Sequence, residues 1–212
     1  MIKLPEYQIP WEIEIFEKNN TKAKGHVVNP EAHLLNERDN YHFEWTTNVL
    51  NLLKCKKVLD VGCYDGWLDF LLIKQGFNVE GIELSPDLVT AAMNYAKANK
   101  INYKVALGLF NRVVHKRFKY VGINYDAVLF YEVLEHMPIY LAQEAIETAL
   151  RYSKYVLISL PEQDHSLNRQ HYWTPSEDLI LKIVKPYPNV VFTKHKYSID
   201  VPANFLLYFG IK

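Results

Sequence analysis

From residue 57 onward, short apolar runs rich in β-branched residues alternate with longer stretches of helical pattern. A strand, a helix and a second strand in that order form a parallel pair with a right-handed crossover, and repeats of this unit place helices on both faces of one sheet. The alternation therefore predicts an α/β fold with a Rossmann-like, doubly wound sheet. Its first five strand candidates are Lys57–Val61, Asn78–Ile82, Tyr103–Ala106, Asp126–Tyr131 and Tyr155–Leu160.

Two more strand candidates, Val190–Tyr197 and Phe205–Ile211, are joined by a proline-containing turn with no helical pattern between them. Strands that lack a crossover connection pair antiparallel. We therefore expect a seven-stranded sheet that is mostly parallel, with an antiparallel last strand. The helical patterns cover Asp65–Gln75, a stretch that begins at Pro86, Leu141–Arg151, and a stretch that runs to Val184 from a capping box at Thr174 with Pro175 at the first helical position.

The charge of the chain is balanced, because 24 Lys and Arg residues offset 24 Asp and Glu residues among 212. A nucleic-acid-binding domain usually has a basic face, so this balance disfavours nucleic acid as a partner. No apolar run reaches the roughly 20 residues of a membrane helix, and Glu6, Glu12 and Glu14 make the N-terminus unlike a secretory signal. Cys55 and Cys63 form no disulfide or metal framework. We expect a cytoplasmic protein with no membrane partner, and the sequence leaves its oligomeric state open.

Residues 1–56 precede the first strand candidate and are rich in Tyr, Trp, Asn and His. Asn29 followed by Pro30 is a signal for the start of a helix. This segment either packs against the sheet or covers a site at its edge. We interpret residues 1–56 as an N-terminal cap and residues 57–212 as the domain that contains the sheet.

A glycine loop follows the first strand candidate and opens the next helical pattern. Gly62 and Gly66 are spaced G-x-x-x-G, whereas a loop that binds the pyrophosphate of a dinucleotide has the spacing G-x-G-x-x-G. This spacing disfavours a nicotinamide dehydrogenase. Asp60 and Asp65 flank the loop, where carboxylates would repel a pyrophosphate but suit a cationic ligand. The small Cys63 allows a ligand to approach the backbone closely, which explains a cysteine there without a redox role.

Glu83 lies at the end of the second strand candidate, in the string Gly81-Ile82-Glu83-Leu84-Ser85. An acidic residue at this point can accept hydrogen bonds from both hydroxyls of a ribose. Because the glycine loop precedes it in the same unit, we interpret Glu83 as a ribose-binding residue rather than a solvated turn residue.

The two strings VLDVGCYDG and GIELS resemble motifs one and two of the class I S-adenosylmethionine-dependent methyltransferases, in the manner of methyltransferase types 11 and 23. Tyr125–Pro138 (YDAVLFYEVLEHMP) resembles the fourth motif of that family, and Tyr155–Glu162 (YVLISLPE) its fifth strand and following loop. The resemblance extends from Lys57 to about Lys212. It implies that S-adenosylmethionine is the cofactor and that residues 57–212 form the domain that binds it.

In that family the first loop holds the methionine part of the cofactor, the acid after the second strand holds the ribose, and later loops frame the adenine and the sulfonium. Many members have an acid after the third strand that accepts the adenine amino group. Here the segment is Val105–Leu109 and contains no acid, so its contact would come from backbone or water. Carried over residue by residue, the resemblance implies a cofactor site that comprises Asp60, Gly62, Cys63, Gly66, Glu83, Leu84, Leu107, Gly108 and Tyr131.

Three histidines follow the fourth and fifth strand candidates, where we expect the methyl acceptor. Methyl transfer from a sulfonium needs alignment above all, and a hydroxyl acceptor also benefits from a general base such as histidine. His136 lies in the string Glu132-Val133-Leu134-Glu135-His136, and His165 and His171 lie in the later polar segment. These are the candidate catalytic residues. Alternatively, His136 braces its loop and the other two lie in a mobile polar loop. His26, His33, His115 and His195 have no informative context.

The string Glu132 to His136, together with a later histidine, also resembles the metal site of small-RNA 3′-terminal 2′-O-methyltransferases. The same string occurs in family members that use no metal, such as O-methyltransferases of the ubiquinone pathway, so we assign no metal ligand. We expect O-methylation of a small metabolite or a sugar-containing acceptor. The alternatives are a metal-assisted RNA ribose 2′-O-methyltransferase and a non-catalytic binding subunit that retains the fold.

Overall fold

The computed structural model describes residues 23–117, 124–162, 171–197 and 203–210, together with Ile15. All seven expected strands are present in these ranges, with bounds that differ by one or two residues at most ends. The strands are β1 (Lys57–Val61), β2 (Asn78–Glu83), β3 (Lys104–Leu107), β4 (Tyr125–Tyr131), β5 (Ser153–Pro161), β6 (Val191–His195) and β7 (Asn204–Gly210).

Two helices of the described ranges, Glu37–Leu52 and Phe110–Arg117, were not expected from the sequence. The helices are α1 (Pro30–His33), α2 (Glu37–Leu52), α3 (Trp67–Lys74), α4 (Pro86–Ala98), α5 (Phe110–Arg117), α6 (Ile139–Tyr152) and α7 (Glu177–Val184), and a 3₁₀ turn covers Leu134–His136. Within the described ranges, we find no helix with the length and apolar character needed to cross a membrane.

The seven strands form one sheet in the order β3-β2-β1-β4-β5-β7-β6. β2 pairs parallel with β1 and with β3, and β4 pairs parallel with β5. β7 pairs antiparallel with both β5 and β6. The expected mostly parallel α/β sheet with an antiparallel last strand is therefore confirmed, and the last strand lies between the two strands that precede it in the chain.

The chain divides into two compact units, residues 1–119 and residues 120–212. In the first unit, a buried apolar cluster joins the segment before α1, helices α3 and α4, and the residue before β3; its members are Val28, Phe70, Ala92, Ala96 and Tyr103. In the second unit, consecutive residues of β4 and of β5 are buried, as is typical of strands covered on both faces. The interpretation of residues 1–56 as a cap and 57–212 as a separate domain stays a prediction.

Side-chain caps fix where the predicted helices begin. The Ser85 hydroxyl accepts from the amide of Leu88 at the start of α4, with Pro86 in the first turn, as the sequence indicates. For α7 the expected cap is wrong. Ser176 caps this helix by accepting from the amide of Leu179, so Thr174 and Pro175 lie before the helix and not in it.

Candidate active site

The glycine loop after β1 is tied to the end of β2 by its backbone. The amides of Gly62 and Cys63 both donate to the carbonyl of Ile82, at 2.7 and 3.1 Å. Gly62 has φ 73° and Gly66 has φ 79°, a left-handed conformation that costs glycine little. The loop therefore turns sharply twice within five residues and keeps its backbone against the carboxyl end of β2.

Tyr64 lies between these two glycines and is itself left-handed, with φ 55°. Its amide donates to Oε2 of Glu83 at 3.0 Å, and the residue as a whole is 40% exposed. An aromatic residue rarely adopts this backbone conformation. Tyr64 had no predicted role, although its position inside the glycine loop is a signal that could have pointed to it.

Glu83 at the end of β2 is buried and accepts three backbone hydrogen bonds. Its Oε1 accepts from the amides of Leu84 and Ser85 at 2.7 and 2.8 Å, and its Oε2 accepts from Tyr64. Burial raises the pKa of Glu83, and the three amides act in the opposite direction. A carboxylate has about four acceptor positions, so this arrangement leaves about one, on Oε2. The two-hydroxyl ribose contact expected from the sequence would need one of the amides to move.

The end of β3 lies next to Glu83 and contacts its backbone. Leu107 lies opposite Glu83 in the β2–β3 register, and the amide of Gly108 donates to the Glu83 carbonyl at 3.0 Å. Gly108 has φ 141°. The fold therefore brings together the predicted cofactor-binding residues that follow β1, β2 and β3, while their contact with a cofactor stays a prediction.

A buried polar cluster lies behind the loop. The Asp60 and Asp69 carboxyl groups interact here, and burial raises the pKa of Asp60 well above its usual range and that of Asp69 to about 7. The Tyr103 hydroxyl donates to Oδ2 of Asp69 and lies 3.4 Å from Sγ of Cys63. Burial also raises the pKa of the Cys63 thiol, which fits an unreactive neutral thiol. Asp69 and Tyr103 were not found from the sequence, because no local motif links them to Asp60.

Two histidines of the N-terminal segment also reach the loop region. Nε2 of His26 lies 2.9 Å from Oδ2 of the buried Asp65, whose Oδ1 accepts from the amide of Trp67. The ring of His33 stacks on Trp67, with 4.6 Å between ring centroids, and its Nδ1 lies 2.7 Å from Oδ2 of Asp39. These contacts give His26 and His33 a context that the sequence did not reveal.

The second unit carries the other predicted site residues. Tyr131 is the last residue of β4 and is half-buried, and the next residue, Glu132, is left-handed with φ 53°. The side-chain amide of Asn204 donates to Oε1 of Glu132 at 2.9 Å and to the hydroxyl of Ser159 at 3.0 Å. Strands β5 and β7 therefore orient Glu132.

Glu135, His136 and His171 form a side-chain cluster, which we call the Glu–His–His cluster. One potential ligand atom from each lies within 4.8 Å of the other two. The rings of His136 and His171 meet edge to face, with 4.6 Å between centroids, and Glu135 is fully buried. The amide of Tyr172 donates to the Glu135 carbonyl at 2.8 Å, which fixes His171 beside the 3₁₀ turn. His165 lies outside the described residues.

The comparisons with known proteins identify the family. Residues 28–188 match the methyltransferase domain family, so this chain belongs to that family of S-adenosylmethionine-dependent methyltransferases. A ubiquinone biosynthesis O-methyltransferase of Histophilus somni is 24% identical over an alignment 241 residues long. This alignment covers 96% of this chain and 97% of that protein. A protein of the same name from Hydrogenovibrio crunogenus is 36% identical over 85 residues, but this match covers only 39% of this chain and 33% of that protein.

Solved structures support the same fold. The methyltransferase domain of bacterial CtHen1 superposes with a TM-score of 0.63 at 18% identity, covering 86% of this chain and all of that one. The magnesium protoporphyrin IX methyltransferase of Synechocystis, solved with S-adenosylhomocysteine, gives 0.61 at 16% identity, covering 97% of this chain and 90% of that one. At these identities the structural likeness shows the fold alone.

Proposed function

We propose that this methyltransferase transfers the methyl group of S-adenosylmethionine to an oxygen of a small acceptor, with the acceptor bound beside His136 and His171. The observation that carries this proposal is the Glu–His–His cluster, which follows the end of β4. In sheets of this kind, ligands bind outside the carboxyl ends of the parallel strands. The names of the relatives in Histophilus and Hydrogenovibrio, both O-methyltransferases, support oxygen as the acceptor atom.

The residues present suit the cofactor. The left-handed Gly62 has no Cβ that would keep a ligand from the loop, and Glu83 offers an acceptor position to a ribose hydroxyl. Asp65 adds negative charge near a ligand that is positive at sulfur. When bound, the cofactor supplies an electrophilic methyl group, and the chain orients it and excludes water.

The histidines supply a proton acceptor. An imidazole titrates near neutral pH, so it can take the proton that a hydroxyl loses as its oxygen is methylated. Glu135 is buried next to both imidazoles. His136 is held by the 3₁₀ turn and His171 by the Tyr172 backbone, so both rings have a defined position.

Cofactor binding tests the first half of the proposal. Glu83→Ala should weaken S-adenosylhomocysteine binding by roughly 1.5–3 kcal/mol, because it removes a hydrogen bond to a charged group. Isothermal titration calorimetry measures the change. Glu80→Ala removes a carboxylate from the same strand, three residues before its end, and should leave the affinity unchanged. If both variants bind as the wild type does, the ribose role of Glu83 is wrong.

The Glu–His–His cluster also favours a second candidate function, metal-assisted 2′-O-methylation of a ribose at an RNA end. Carboxylate and imidazole are common ligands of divalent transition metals, and three such groups converge here. A divalent ion would be held by Glu135, His136 and His171, where it would lower the pKa of an acceptor hydroxyl as a Lewis acid. The neutral charge of the chain weighs against a nucleic-acid acceptor.

One experiment separates the two candidates. If a histidine is the general base, His136→Gln should reduce methyl transfer to a small hydroxyl acceptor by about 10²–10⁴-fold, with unchanged S-adenosylhomocysteine affinity and no effect of chelator on the wild type. If the cluster binds metal, the purified wild type should carry about one divalent ion per chain by elemental analysis. His171→Gln should then lose that ion, and a chelator should abolish turnover of a short RNA. Normal turnover by both histidine variants would exclude both roles.

A further inference from the structure

Tyr64 occupies a backbone conformation that would suit glycine better. It is left-handed, and the loop turns at a glycine on either side of it. A non-glycine residue in this region costs of order 1–3 kcal/mol unless the surroundings compensate. The backbone conformation alone would therefore favour glycine at position 64, so the presence of a tyrosine side chain needs another explanation.

The packing of the Tyr64 ring does not explain why the chain accepts the free-energy cost of the left-handed backbone. The residue is 40% exposed and is not a member of the buried cluster formed by Val28, Phe70, Ala92, Ala96 and Tyr103. Among the described residues, the Tyr64 ring makes an edge-to-face contact with the ring of His26, with 5.7 Å between the ring centroids. The hydrogen bond to Glu83 comes from the backbone amide, which a glycine would also provide.

The surroundings of the ring are acidic and are organised by neighbouring residues. Both Asp65 and Glu83 act on the Tyr64 hydroxyl and raise its pKa, after the larger effect of burial. The phenol is therefore neutral at physiological pH and close to two carboxylates. His26 contacts the ring and is itself fixed by Asp65. An aromatic face beside carboxylates is a suitable surface for a cation.

We propose that the Tyr64 ring contacts the cofactor at its sulfur and favours the positive sulfonium of S-adenosylmethionine over the neutral thioether of S-adenosylhomocysteine. The proposal rests on the family's cofactor and on the placement of that cofactor at the glycine loop. The two ligands differ at the sulfur atom by one methyl group and one positive charge. Weaker binding of the neutral product would help the enzyme to release it after methyl transfer.

Titration calorimetry with both ligands, together with thermal unfolding, tests the proposal. In Tyr64→Gly the dissociation constant for S-adenosylmethionine should rise about 3–30-fold, which corresponds to the usual range of a cation–π contact. That for S-adenosylhomocysteine should rise less than about 2-fold, because it carries no charge at sulfur. The melting temperature should stay the same or rise by about 2–4 °C, since a left-handed strain is relieved.

Three further variants complete the design. Tyr64→Phe keeps the ring and should retain the selectivity of the wild type. Tyr140→Ala removes an exposed tyrosine from the first turn of α6 and should change neither affinity. Tyr64→Asn also tolerates the left-handed conformation and replaces Tyr64→Gly if that variant does not fold.

An unchanged ratio of the two affinities in Tyr64→Gly, or in Tyr64→Asn in its place, would overturn the proposal. So would equal weakening of both ligands with a lower melting temperature, because the ring would then be structural. If the wild type binds neither ligand, the cofactor placement itself fails. Wild-type binding with unchanged selectivity in the variant would refute only the role of Tyr64.

Discussion

Gly81 lies within β2 and has extended backbone, so no turn requires a glycine there. Its absent side chain instead leaves room for the buried polar cluster. A Cβ at this position would overlap the Tyr103 hydroxyl and would lie 2.6 Å from Sγ of Cys63 and 3.2 Å from Oδ2 of Asp69. The glycine therefore permits the contact between Tyr103 and the Asp60–Asp69 pair.

Gly81→Ala should lower the free energy of unfolding by about 1–3 kcal/mol, the usual effect of an added methyl group in a packed interior. Urea denaturation followed by circular dichroism measures this change. Tyr103→Phe in the Gly81→Ala background removes the atom with the worst overlap and should recover part of the loss. A Gly81→Ala protein as stable as the wild type would mean that the cluster is not packed against β2.

Among individual site residues, the sequence predicted those that belong to contiguous motifs. Gly62, Gly66 and Glu83 could be found because each lies at a fixed distance from a strand end. Asp69 and His26 could not, because their partners are 34 and 39 residues away in the chain. Such pairs depend on how the elements pack, and no local pattern of residue types encodes them.

The elements themselves were predicted where periodicity and a strong end signal agreed. Helix α4 has both, with the Ser85 cap, Pro86 and an apolar face. Helices α2 and α5 were missed for different reasons. Helix α2 is rich in aromatic, β-branched and Asn residues, which have weak helix propensity, so only its Asn36 cap marks its start. Helix α5 has eight residues and includes Val113 and Val114, too short a pattern to be distinguished from a strand.

At the scale of the whole chain, the Asp60–Asp69 pair links stability to pH. An acid whose pKa is raised by folding binds more protons in the folded state than in the unfolded state. The free energy of unfolding therefore falls as pH rises from the unfolded pKa, about 4, to the folded pKa. For Asp69 the folded pKa is about 7, and the destabilisation is complete above that pH.

We therefore expect wild-type stability to fall between pH 6 and pH 8 by more than that of Asp69→Asn, in which this group no longer titrates. Denaturant unfolding at the two pH values gives both differences. The eight histidines contribute equally to both proteins, so subtracting one difference from the other isolates the titration of the Asp60–Asp69 pair. The same pH dependence in wild type and variant would show that Asp69 titrates with an ordinary pKa.

The sequence also predicted the sheet as a whole. The alternation of strands and helices implies parallel pairing, and the lack of a helical pattern between β6 and β7 implies that these two strands pair antiparallel. It left open the position of that strand. Two strands without a crossover can add to a sheet edge in either order, and both orders satisfy the same local pattern. In the observed order the buried β7 lies between β5 and β6, and the mostly exposed β6 lies at the edge of the sheet.

That position has a consequence for how the protein is made. On the ribosome, β5 emerges well before residues 204–210, which pair with its free edge. Within the part of the chain that the structure describes, the sheet neighbour of β6 is likewise β7. The nascent second unit must therefore keep an unpaired apolar strand edge until residue 210 has left the exit tunnel. Such edges are sites of aggregation. During synthesis, β7 is thus the strand that covers the exposed edges of both β5 and β6.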